Sequence, residues 1–324
     1  MKNPAALSRN FFLAGSAACC AFPGVASAQT TAHLTLGTAP IDSGMTPVIA
    51  QRGGFYKRYG LDIDISEMNS GAAVSAAVVG GALKIGSTSL MGLIQAHTKG
   101  IPFQIVTPAA AYRTQRPSDV LLVRSDSPIK SAADLNGKTI ATPALHDLLS
   151  VTTMAWIDQH GGDSKTIHQV ELPPAATPAA LQAGRIDAAA MSEPRVSQLV
   201  RAGDARVIGK PYDVIAEKFL ISGFFAQPDV IAANRDAIER LARAHHDANV
   251  FANAHPDQTA PWLADVAKLD VAAVLQYNRA YLSEVLAPAD LQPMIDAAAR
   301  FNIIDRSFDA KEIISPIVLN LRFK

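Results

Sequence analysis

From residue 33 to about 227, short alternating or apolar runs take turns with segments that repeat every three to four residues. Strands are predicted over 33–38, 62–68, 82–87, 103–109, 120–124, 139–143, 168–172 and 186–191. Helices are predicted over 45–60, 72–79, 90–98, 148–160 and 177–184. Such alternation predicts α/β layers with mainly parallel sheets. From 229 onward the pattern is almost wholly helical. The stretch 81–100, GALKIGSTSLMGLIQAHTKG, joins a strand broken at Gly86 to a helix with Leu90, Leu93, Ile94 and His97 at helical spacing. Ser87, Thr88 and Ser89 at the join read in two ways. They cap the helix, or they offer hydroxyls and free backbone N–H groups to a polar or anionic small molecule.

The pattern repeats once. A helix, Tyr59-Gly60-Leu61-Asp62, a strand, a short helix and Gly81-Ala82-Leu83-Lys84-Ile85-Gly86 form the first copy. The second runs through His160-Gly161-Gly162-Asp163 to Gly184-Arg185-Ile186-Asp187-Ala188-Ala189. One duplication at about a hundred residues predicts two similar lobes, not a solenoid. Open α/β sheets bind ligands at the edge where strands end and helices start, so two such edges facing each other make a cleft. The counterpart of the join at 86–89 is 189–192, followed by Glu193-Pro194.

The 324 residues suit two domains, and 49% apolar with 18% charged content allows a sizeable core. The formal charge is zero and there is no long basic run. That argues against nucleic acid or an anionic membrane surface as partner. Lys2 and Arg9, an apolar run, and Val25-Ala26-Ser27-Ala28 read as a secretory signal cleaved after Ala28. The run is too short to anchor in a bilayer and is interrupted by Pro23 and Gly24. Asn10 stands where a twin-arginine motif needs its second arginine, so the general secretory route is favoured, and Ser16 stands where a lipobox wants leucine, which makes a lipoprotein site poor. Both cysteines, Cys19 and Cys20, fall inside this segment. The mature chain, residues 29–324, is then an exported soluble protein with no disulfide and no thiol chemistry.

Five passages resemble the periplasmic solute-binding proteins of the nitrate/taurine/alkanesulfonate class, the SsuA/THI5-like (NMT1-like) family. They are GGFYKRYGLDIDI (53–65), GGALKIGSTS (80–89), HTKGIPFQIV (97–106), LLVRSDSPIKSAADLNGKTIAT (121–142) and LQAGRIDAAAMSEP (181–194). Lys84 departs from the family's usual Asp at a strand start. The resemblance implies a two-lobe, type II binding-protein fold, each lobe a mainly parallel sheet flanked by helices. Lobe one would comprise 32–121 plus 224–324 and lobe two 122–223, with chain crossings near 121–124 and 220–225. It implies a periplasmic monomer that captures a small organic anion or zwitterion, sulfonate-, taurine- or nitrate-like, and passes it to an ABC permease. No cofactor, metal or catalytic residue is implied.

Candidate ligand residues follow from the joins and the resemblance together. Asp42, Ser43 and Gly44 follow the first strand, where Asp42 or Ser43 alternatively caps the next helix. Ser87, Thr88 and Ser89 line the cleft from the same lobe. In the second lobe Asp147 reads as an N-cap, and His146 is free to contact a ligand. Glu193 sits at a helix start, where the helix dipole favours an acid; facing the cleft, it would favour an amine or ring N–H. Tyr112, Arg113, Arg116 and Arg195 supply the opposite preference, so a zwitterion or an amino-bearing heterocycle satisfies both signs. Ser222 and Gly223 lie at the second crossing. Of Phe224 and Phe225, one is expected to pack and the other to reach the hinge. Trp156 reads as core.

An enzyme is the rival class. No G-x-S-x-G, H-E-x-x-H, Walker A or G-x-G-x-x-G motif occurs. His245-His246-Asp247 lies on a helix, where adjacent residues point apart, and reads as a solvated face. The THI5-type pyrimidine-synthesising enzymes use a cysteine-rich motif that the mature chain lacks. Capture of an aminopyrimidine or aromatic acid, or delivery to a sensor, are the binding alternatives.

Overall fold

The computed structural model describes residues 31–68, 70–145 and 147–323. The expected signal segment, with its cysteines and cleavage site, lies outside the described residues, as does His146. The strands, in chain order, are β1 (Ala32–Thr38), β2 (Leu61–Glu67), β3 (Ile85–Ser89), β4 (Gln104–Pro108), β5 (Ala110–Arg113), β6 (Asp119–Arg124) and β7 (Thr139–Thr142). They continue with β8 (His168–Glu171), β9 (Ala188–Ser192), β10 (Ala205–Gly209), β11 (Lys218–Leu220), β12 (Ser222–Ala226) and β13 (Tyr281–Leu282).

They form two five-stranded sheets of identical plan. The first has the order β2-β1-β3-β12-β4 and the second, read from its other end, β8-β7-β9-β6-β10. In each, the first two neighbour pairs are parallel and the two made by the fourth strand are antiparallel. The sheets are therefore mixed α/β sheets, because β12 and β6 enter each sheet from the other half of the chain and run against their neighbours. The internal repeat has a local cause as well. Gly60 and its counterpart Gly161 sit at φ +62° and +87° at matching helix ends, and Gly81 and Gly184 sit at +76° and +65°. Those left-handed conformations favour glycine.

A third sheet, β11-β5-β13, is antiparallel throughout. It gathers the segments that lead from one large sheet to the other. Residues 114–118 link β5 to β6, and 215–217 lead into β11.

Helices cover the sheets with apolar faces. The 20-residue helix Arg235–Ala254 buries Ile238, Leu241, His245, Ala248 and Ala252, a stripe at three- and four-residue spacing. His245 is therefore a core residue, which corrects the solvated-face reading. Its ring nitrogens meet the Tyr56 hydroxyl at 2.7 Å and Thr107 Oγ1 at 2.8 Å. Burial pulls its pKa down to about 3, so it is neutral. His246 bonds the Glu284 carbonyl and Asp247 accepts from the Tyr59 hydroxyl, so the three neighbours do point apart.

Other local expectations shift for tertiary reasons. The segment 45–60 is two helices, Thr46–Arg52 and Phe55–Arg58, broken where Gly54 adopts φ +72°. Phe224 and Phe225 are both fully buried, because β12 is paired on both edges and covered on both faces. Phe225 packs on Phe103 and Phe224 on His245. Trp156 is core, against Gly209 and His160. No described helix is long and apolar enough to cross a membrane.

Candidate functional site

The cleft-side ends of the two large sheets share a cavity of about 1660 Å³. Its first wall is the loop after β1, the end of β3 and the start of β12. Strand β3 runs through Ser87, Thr88 and Ser89, three residues beyond the break predicted at Gly86, because β12 pairs with it as far as Ser89. Only Ser89 caps: its hydroxyl accepts from Gly92 N at 3.1 Å, at the start of helix Leu90–Thr98. Ser87 is nearly buried. Thr88 is pressed against the start of a second helix, Gly71–Val79. A Cβ on Gly71 would collide with Thr88 Oγ1, which explains the glycine. Two helix N-termini thus converge on these hydroxyls, and both favour partial negative charge.

Asp42, Ser43 and Gly44 also line the cavity. Neither Asp42 nor Ser43 caps the following helix, whose N-cap is Met45. The Asp42 carboxylate is committed elsewhere: Arg279 Nε donates to it at 2.9 Å and Ala280 N at 2.7 Å. Burial raises its pKa and Arg279 opposes that.

The second wall is acidic. Asp119 opens β6, accepts from the hydroxyls of Ser118 and Ser192, and is almost wholly buried. Asp147 caps helix Leu148–Gln159 through Ser150 N at 2.7 Å. Glu193 accepts from Ser197 N at 3.0 Å and Ser197 Oγ at 2.8 Å, holding it at the start of helix Arg195–Arg201. Burial pushes the pKa of all three carboxyls up, and each is held down again by the hydrogen bonds it accepts. Arg195 is exposed at the rim.

Of the expected residues, Asp42, Ser43, Gly44, Ser87, Thr88, Ser89, Asp147, Glu193 and Ser222 line this one cavity. Tyr112, Arg113 and Gly223 do not. Tyr112 is 1% exposed, packed on Tyr212 and Phe219, and donates to Asp213. Arg113 lies over the Tyr281 ring at 3.2 Å, on a separate small cavity. Gly223 is interior to β12, where a Cβ would crowd Ile105.

Sequence reasoning missed Asp119, Tyr212 and Tyr277, all of which line the cavity. The repeat held a signal for Asp119. It opens β6 opposite Ser192, as Ser222 opens β12 opposite Ser89. Nothing in the pattern marks the two tyrosines. Among the described residues no group of histidine, cysteine and acids is placed to hold a metal ion.

Residues 44–259 match the family described as NMT1/THI5 like. The taurine-binding periplasmic protein of Escherichia coli is 27% identical over 273 residues, 80% of each chain. Among solved structures, the periplasmic aliphatic sulphonate binding protein SsuA of Escherichia coli is similar with a TM-score of 0.71 at 23% identity, covering 90% of this chain and 94% of its own. The desulfurization enzyme DSZB is similar with a TM-score of 0.67 at 17% identity, covering 89% and 97%. At those identities the two structures speak to the fold: two α/β lobes with a cleft between them. The family match spans well over half of the chain, and the chain belongs to the NMT1/THI5-like family.

Proposed function

We propose that the protein is an extracytoplasmic solute-binding protein that holds a small zwitterion, or an amino-bearing heterocycle, between its lobes and delivers it to an ABC permease. The observation that carries this is the split chemistry of one cavity. Hydroxyls and two helix N-termini form one side, and Asp119, Asp147 and Glu193 belong to the other. An anionic or polar head suits the first, and an amine or ring N–H the second. The taurine bound by the Escherichia coli relative carries both groups. Contacts to both walls would favour a closed state. In this reading the lobes meet at 114–118 and 215–217, slightly away from the crossings expected at 121–124 and 220–225. The reason is that β6 pairs only in the second sheet and β12 only in the first.

Non-enzymatic capture is favoured over catalysis, despite the likeness to DSZB, because the relative matched over 80% of both chains is a taurine-binding protein and residues 31–324 hold no cysteine for a THI5-type motif. Export, a periplasmic location and a monomeric state belong to the same reading.

The test is a calorimetric panel of taurine, aminopyrimidines, simple alkanesulfonates and nitrate. An amine-bearing ligand is expected to bind most tightly and to be recovered chemically intact. Equal or tighter binding of nitrate or an amine-free sulfonate would overturn the zwitterion reading, and conversion of the bound compound would overturn the non-enzymatic one.

A further inference from the structure

Arg113, a candidate cleft residue, and Arg116, on the same loop where at least one of the two is expected to be solvent-exposed, line a second cavity of about 190 Å³ together with Arg279. The rest of its wall is apolar residues, Asn253 and Tyr281; no carboxylate lines it. The nearby acids are already engaged. Asp42 accepts from Arg279 and Ala280, and Glu284 accepts from Asn253 and the Tyr281 hydroxyl. Asn253 is spent on Leu282 and Glu284.

The arginines are not satisfied to the same degree. The Arg113 guanidinium carbon sits over the Tyr281 ring at 3.2 Å, and its buried Nε has no acceptor. Among the described residues, neither the Arg113 nor the Arg116 side chain makes a hydrogen bond or an ion pair, and Arg116 acts on the Asp42 carboxylate only through space. Arg279 gives Nε to Asp42, and one terminal nitrogen reaches only the Pro256 carbonyl, at 3.4 Å. Three guanidiniums around one small space repel each other, and a buried donor without an acceptor is costly. Planar forks of this kind match the oxygens of a tetrahedral anion. The volume equals roughly six times a water's share of ~30 Å³, enough for such an ion and a few waters.

We propose that this cavity binds a small tetrahedral oxyanion of the sulfate or phosphate class, held by Arg113, Arg116 and Arg279. Its place is the small sheet through which the chain passes between the two large ones, on β5 and beside β13. The Asp42–Arg279 pair stands between it and the cleft. Its lining is separate from that of the cleft except for Ala280, which borders both.

The experiment is a calorimetric titration of the purified protein with sulfate and with phosphate, at constant ionic strength made up with chloride. Saturable binding at one site is expected with at least one of the two anions. Arg116→Gln, an exposed position, should keep the circular dichroism spectrum and weaken that binding about tenfold or more. Arg113→Lys, which keeps the charge and loses the fork, should also weaken it. Thr88→Ala in the cleft should leave it unchanged. Absence of saturation with both anions overturns the proposal, as does wild-type affinity in Arg116→Gln and Arg113→Lys together. Loss of binding in Thr88→Ala would put the anion in the cleft and overturn it too.

Discussion

The two large sheets are built on one plan and end in different chemistry. At the cleft, Ser222 of β12 stands opposite Ser89 in the first sheet, and Asp119 of β6 stands opposite Ser192 in the second. Both pairs occupy the same place in the repeat. One is hydroxyl against hydroxyl; the other is a buried carboxylate accepting from a hydroxyl. The helix starts differ as well: Ser89 caps one with a hydroxyl, while Asp147 caps another with a carboxyl group. The two copies share glycines at matching turns and buried apolar strand positions, which folding requires. The edge residues carry no such demand and have diverged. The cleft is thereby polarised without any change of fold.

The comparison can be broken most severely beside the first sheet, through its buried polar core. His245→Leu removes the partner of both Tyr56 and Thr107 and should cost about 2–5 kcal/mol, as two buried groups lose their hydrogen bonds. Denaturant melts would show it. The same variant tests the acid response. A histidine held neutral at a pKa of about 3 takes up fewer protons folded than unfolded. The wild type therefore loses stability as pH falls from about 6.5 toward 3. His245→Leu should be less stable at neutral pH and show a shallower decline across that window.

Next in size is the polarity of the cleft. Asp119→Ser makes the two edges alike and should weaken an amine-bearing ligand by about 10- to 100-fold, the worth of a charged hydrogen bond. Selectivity over an amine-free sulfonate should fall with it. Unchanged selectivity in titration calorimetry would mean that the acidic wall does not read the ligand. Asp119→Asn sharpens the point through stability. Burial raises the carboxyl's pKa, so the folded state holds its proton more tightly than the unfolded state. That favours folding at low pH, and the advantage is lost as pH rises through the raised pKa. The unliganded Asn variant should melt higher than wild type at neutral pH, with the gap closing toward acid.

The smallest effect belongs to the hydroxyl wall. Thr88→Ala removes one neutral hydrogen bond and should weaken binding by roughly 2- to 10-fold, with little change in melting temperature. A larger loss would mean that Thr88 acts by positioning the start of helix Gly71–Val79, and Gly71→Ala would then mimic it.

Several features were legible in the chain itself. Period-two and period-four patterning placed most strands and helices, and the paired glycines near 60 and 161, and near 81 and 184, announced the duplication. The joins at 87–89 and 189–193 marked the edges of the cleft, because a strand end running into a helix start is a local event. His245 is also legible, since it falls on the apolar stripe of its own helix, although His246 and Asp247 beside it give the run the polar look of a solvated face.

Other features needed the folded chain. β3 extends through Ser89 only because β12, more than a hundred residues later, pairs with it. Arg113 leaves the cleft because β13 brings Tyr281 beneath it. Asp42 is spent on Arg279, a partner 237 residues away. Hydrophobic period and turn chemistry are written in neighbouring residues, so the sequence by itself determined the α/β layering and the two-fold plan. Which carboxylates and guanidiniums find partners depends on burial and on contacts between distant segments, and that only the tertiary structure decided.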